Sequence, residues 1–155
     1  MREYKYYFFI IVLLLGFSAC EKKNPTELHG VHWDRDMCER CKMVVSDRQH
    51  ATQVINPATG RSTMYDDIGC AVLWFEEEKV DWAPEAKIWV IDITTGKWID
   101  ARTALYDTNN ITSMAFGFAA HENNSSVKSG EEIIDFEEMS KRIFKIEAKQ
   151  NRKTY

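Results

Sequence analysis

Residues able to do soft-metal or thiol chemistry crowd into one stretch, Asp36-Met37-Cys38-Glu39-Arg40-Cys41-Lys42-Met43. If the run into Val44-Val45 is extended, side chains two apart point the same way, so the Cys41 thiolate and the Met43 thioether converge. Thiolate and thioether are soft donors that select Cu(I), whereas Zn(II) favours thiolate, imidazole and carboxylate. Cys38 lies three residues before Cys41, close enough to be a third donor or to form a disulfide with it. Met114, in a loop-like stretch before Phe116-Gly117-Phe118, is a candidate distant ligand. Among the weaker candidates His29, His32, His50, His121 and Met64, His121 is kept beside Cys38 as an additional metal ligand. Cys70 follows Gly69 in an amphipathic segment and reads as buried packing.

Other chemistries fit less well. Cys38-x-x-Cys41 would suit a thiol-disulfide protein, but such dithiols normally open a helix after a strand, and Met43-Val44-Val45 looks extended. A zinc ribbon needs a second cysteine pair, and only Cys70 remains. The sequence holds no nucleophile elbow, HExxH helix or P-loop. These readings point to a binding protein and not an enzyme. With 20 Lys plus Arg against 24 Asp plus Glu, a net charge of −4 and no basic run, the chain lacks the footprint of a nucleic-acid binder.

The elements that must position the sulfurs carry a repeat. Val54-Ile55-Asn56 with Thr59-Gly60-Arg61 returns as Val90-Ile91-Asp92 with Thr95-Gly96-Lys97. Each copy predicts a β-hairpin around a glycine turn, Thr52 to Ile55 returning through Ser62 to Tyr65, and Lys87 to Ile93 returning through Trp98 to Ala101. Asp66-Asp67 then caps a helix over Ile68 to Glu78. Near the C-terminus, either Ser129 with Glu132 forms a capping box, or Glu131 to Ile134 is a strand before a helix capped by Asp135. Met139, Ile143, Phe144 and Ile146 line that helix's buried face. The fold class is α+β, with two small ββα-type units, short antiparallel sheets and packed helices. The units span roughly 31–82 and 83–148 of a domain covering 31–155.

Residues 1–19 read as an export signal, with Arg2 and Lys5 before an apolar run from Tyr6 to Leu15. That run would cover roughly 15 Å as a helix, about half a bilayer's hydrocarbon core. It closes on Phe17-Ser18-Ala19-Cys20, similar to a bacterial lipobox whose cysteine is lipidated. Residues 20–30 then form a tether. The expected location is extracytoplasmic, in a periplasm, on a lipid anchor in either the inner or the outer membrane.

An ordered set of motifs resembles the NosL family, lipoproteins accessory to nitrous oxide reductase. It comprises Cys41-Lys42-Met43 with Ser46-Asp47, Tyr65-Asp66-Asp67-Ile68-Gly69-Cys70 leading to Trp74, Trp98-Ile99-Asp100-Ala101, and Thr112-Ser113-Met114-Ala115-Phe116-Gly117-Phe118. The resemblance implies a Cu(I) chaperone that delivers copper for the reductase's copper centres with help from a dedicated ABC transporter. It also implies a two-unit ββα fold related to a domain of organomercurial lyase. Cys41 and Met43 match the family's Cys-x-Met ligands, and Met114 matches a later loop methionine. Lys42 stands where the family usually has glycine, Ser113 stands where proline is frequent, and Cys38 is not required by the family pattern.

Overall fold

The computed structural model describes residues 25–127 and 130–153; the expected signal segment, Cys20 and Ser129 lie outside them. Both hairpins form where their turn residues place them. Strands β1 (Thr52–Ile55) and β2 (Ser62–Tyr65) make the first, and β3 (Lys87–Ile91) and β4 (Trp98–Asp100) the second. The turns are copies of each other. The Asn56 Oδ1 atom accepts from the Ala58 and Thr59 amides, and Asp92 Oδ1 accepts from those of Thr94 and Thr95. Gly60 and Gly96 close them at φ 70° and 71°, a left-handed conformation that glycine adopts without penalty.

The two hairpins share one antiparallel sheet of order β2-β1-β3-β4. Gln53 on β1 faces Trp89 on β3, two residues at equivalent places in the repeat, so the copies meet about a local two-fold axis. The first hairpin runs into helix α1 (Ile68–Glu77), while the second is followed by a further sheet. That sheet, of order β6-β5-β7, contains β5 (Leu105–Asp107), β6 (Ala119–His121) and β7 (Ile133–Ile134). A bridge between Asp92 and Ala120 and a 2.7 Å bond from the Glu122 amide to Asp92 Oδ2 join the sheets.

Helix α2 (Phe136–Lys153) begins as the second of the two C-terminal readings requires. Strand β7 precedes it, and Asp135 Oδ1 accepts from the Glu138 amide at 2.8 Å. Met139 and Ile143 are fully buried, whereas Phe144, expected on the same buried face, is 41% exposed. The architecture is the expected α+β class. Among the described residues, no helix is long and apolar enough to cross a membrane.

The start of α1 is the most constrained point of the fold. Asp67 is fully buried; its Oδ1 accepts from the Gly69 amide at 2.8 Å and its Oδ2 from the Thr112 hydroxyl at 2.6 Å. The Thr112 bond draws the loop carrying Met114 onto the helix. Phe116 then lies against Gly69, where a Cβ would sit 2.2 Å from the ring. Gly69→Ala is therefore expected to cost about 1–3 kcal/mol through overpacking, read as a lower denaturant midpoint with the slope unchanged. A midpoint equal to wild type would mean that the loop yields freely.

Candidate metal centre

Cys38 and Cys41 sit on a tight turn between two short extended segments. Met37 bridges Val44, and the Val45 amide donates to the Asp36 carbonyl at 2.8 Å. Inside that ladder the Cys38 amide donates to the Met43 carbonyl at 2.8 Å and the Lys42 amide to the Cys38 carbonyl at 3.0 Å. The loop reverses at Lys42, whose φ is 59°. This corrects the expectation of an extended run: with a left-handed residue between them, the alternation that would align Cys41 and Met43 is absent. It also gives a reason for glycine at this place in the resembling family, since a residue with a Cβ costs roughly 1–2 kcal/mol here.

The turn is fixed on two sides. On one, Cys38 bridges Met64 of the edge strand β2, and the Glu39 amide donates to the Met64 carbonyl at 2.9 Å. On the other, Asp66 Oδ1 accepts from the Ser46 and Asp47 amides at 3.3 and 3.4 Å, tying the segment after Met43 to the residues that open α1. The result brings Cys70, in the first turn of α1, up to the cysteine turn. The Sγ atoms of Cys38, Cys41 and Cys70 all lie within 4.8 Å of one another. Among the described residues this is the one group of three or more Cys, His, Asp or Glu drawn so close. Cys70 was read from sequence as packing. It is fully buried, but its sulfur faces the other two thiols. Its place after the capped start of a helix does not by itself separate it from a core cysteine.

None of the three cysteines is in a disulfide. The Cys38 sulfur accepts hydrogen bonds from the Cys70 thiol, the Cys41 and Asp66 backbones and the Cys41 thiol. These outweigh burial and hold its pKa down from 9.0 to about 5. Cys70 is pushed the other way by its bond to Cys38 and by burial, and Cys41 is raised chiefly by burial. Near neutral pH these opposed shifts favour a thiolate at Cys38 and protonated sulfurs at Cys41 and Cys70. Those protons must leave if all three are to ligate, because thiolates are the ligands.

The remaining candidates lie at different places. Met43, 44% exposed, stands at the rim of the turn. Met114 is half-buried beyond Thr112, its backbone amide bonded to Asp67 and the hydroxyl of its neighbour Ser113 donating to Asp47 at 3.3 Å. The Met64 sulfur accepts from the Gln53 side-chain Nε2 at 3.4 Å. His121, on β6 of the second sheet, pairs with Asp107 at 3.1 Å, and His50 pairs with Asp47 at 2.8 Å. His29 contacts Ser62, and His32 is paired with Asp36 on the surface.

Fold and cluster together define an α+β protein with three convergent sulfurs able to hold a soft metal ion. The structure is similar to the crystal structure of the copper chaperone NosL from Shewanella denitrificans, with a TM-score of 0.55 and 13% sequence identity, covering 74% of this chain and 96% of that one. The fold is therefore the one that the sequence motifs implied. No family model matches the sequence, and no curated protein does.

The charge on Cys38 has a consequence for stability. The unfolded chain protonates Cys38 below pH 9, and the folded chain only near pH 5. Stability of the metal-free protein should therefore rise with pH across that window, because the unfolded state binds more protons. Above pH 9 the trend should reverse, since Cys41 and Cys70 then hold protons that the unfolded chain loses. Thiolate ultraviolet absorbance should report one ionisation near pH 5, removed in Cys38→Ser. Three thiols titrating together near pH 9 would refute the shared charge.

Proposed function

We propose that this chain binds copper as Cu(I) on Cys38, Cys41 and Cys70 and passes it to another protein without turnover. One observation carries the reading: three thiol sulfurs within 4.8 Å, in a fold shared with a copper chaperone. Three soft donors suit Cu(I), which takes low coordination numbers, better than Zn(II), which in structural sites completes a tetrahedron. Cys41, the partly exposed member, is the natural point of entry, with Met43 beside it at the rim. Met114, held at the start of α1, is the further donor that the sequence resemblance suggests.

The same resemblance supports the finer reading. In it the protein is a lipoprotein anchored through Cys20 on the extracytoplasmic side of a membrane. Its copper goes to the copper centres of nitrous oxide reductase, with an ABC transporter taking part in maturation. A thiol-disulfide protein using Cys38 and Cys41 is the second reading, favoured by the low pKa of Cys38. Metal stoichiometry under reducing conditions separates the two.

The reduced full chain in detergent should take up one Cu(I) in competition with a chromogenic chelator, and excess Zn(II) should not displace it. Cys70→Ser should weaken binding about a hundredfold, the scale of one lost ligand at about 2.7 kcal/mol. Met43→Ala should cost less. If Cys70→Ser binds as wild type while Met43→Ala and Met114→Ala abolish binding, the ligand set is Cys41, Met43 and Met114 instead. For the anchor, Cys20→Ser should release the protein from membranes after a salt wash, since salt strips electrostatic attachment but leaves an acyl chain in place. Retention of that variant would remove the lipid anchor.

A further inference from the structure

Arg40 lies inside the cysteine turn, between Cys38 and Cys41, and its side chain reaches Glu77 at the last turn of α1. It is 15% exposed. Its Nε atom donates to both carboxylate oxygens of Glu77, at 3.0 and 2.9 Å, and Nη2 donates to Glu77 Oε1 at 2.7 Å. The same Nη2 also donates to Glu147 Oε1 at 2.8 Å, reaching a residue 107 positions away on α2. Planar forked contacts of this kind fix orientation as well as distance.

The spacing on α1 gives the clamp its geometry. Cys70 and Glu77 are seven residues apart, two helical turns, so they lie on the same face about 10 Å from each other along the axis. The cysteine turn therefore meets one stripe of α1 at two points, through sulfur at the first turn and through the guanidinium at the last. Two points fix a direction, which one contact leaves free. The third contact, to Glu147, extends the attachment to the C-terminal helix. Arg40 faces two carboxylates, so its charge is more than offset and its part is to hold position.

We propose that Arg40 is the positioning residue that keeps the cysteine turn converged on Cys70, and that through Glu147 the docking of α2 sets how firmly the centre retains its metal. Loosening α2 lets the turn pivot about the sulfurs and opens Cys38 and Cys41 to an acceptor. The second half of the proposal rests on the copper reading; the first does not.

Two readouts on the full chain in detergent separate them. In metal-free protein, alkylation of buried Cys38 and Cys70, followed by mass spectrometry, should be several-fold faster in Arg40→Gln and in Glu77→Gln than in wild type. In Cu(I)-loaded protein, Arg40→Gln should lower affinity about tenfold, one charge-assisted contact's worth. Glu147→Gln should speed copper transfer to a chelator several-fold while leaving the denaturant midpoint of the metal-free protein near wild type. If Arg40→Gln fails to fold, Glu77→Gln and Glu147→Gln carry the test. Unchanged alkylation in Glu77→Gln would overturn the clamp, and copper transfer at the wild-type rate in Glu147→Gln would overturn the retention role. A wild-type chain that shields its thiols but binds no Cu(I) would overturn the copper reading and the retention role while supporting the clamp.

Discussion

A buried negative sulfur must be given donors, and this requirement organises the middle of the molecule. A thiolate removed from water with nothing to stabilise it would simply take up a proton. Cys38 is fully buried, yet its pKa is held below the ordinary thiol value, because two thiols and two backbone groups are aimed at it. Those groups come from the tight turn, from the last residues before α1 and from the first turn of the helix itself. Moving any one of these elements leaves the charge without part of its support.

The fold can be read outward from that demand. Strand β2 supplies a bridge to Cys38 and leads directly into Asp66 and Asp67. Asp66 ties down the chain after the cysteine turn, and Asp67 caps α1 while binding Thr112. The bond to Thr112 brings in the Met114 loop, which Gly69 accommodates by lacking a side chain under Phe116. Burial also raises the carboxyl of Asp67, and the donors that oppose this rise come from the helix start and from that loop. Sheet edge, helix start and loop thus meet around one set of polar contacts. The resulting centre is closed at Cys38 and Cys70 and opens towards Cys41 and Met43. That asymmetry fits the proposed uptake and release of a metal ion.

Local signals in the sequence carried a good part of this. Asn56 and Asp92 bond to amides two and three residues on, and the glycines that close both turns stand at fixed offsets, so both hairpins were legible. The caps Asp67 and Asp135 act within three residues; the first was legible for the same reason, and the second was one of two competing readings. The concentration of soft donors around Cys38, Cys41 and Met43 was plain from residue type alone. Pairing of the two hairpins into one sheet was not, because it depends on which edges meet once both have formed.

The ligand geometry belonged to tertiary structure. The alternation rule assumed an extended backbone through Lys42, and the ladder on either side imposes a left-handed residue instead. Cys70 lies 29 residues beyond Cys41, and nothing local distinguishes a core cysteine from a converging one. Its sulfur reaches the others because β2 pairs beside Cys38 and then turns straight into α1. The sequence by itself determined which residues could act as donors and which short elements would present them, since side-chain chemistry and turn formation are settled within a few residues. Only the closed fold decided which sulfurs share a charge, because that depends on contacts between segments that are distant along the chain.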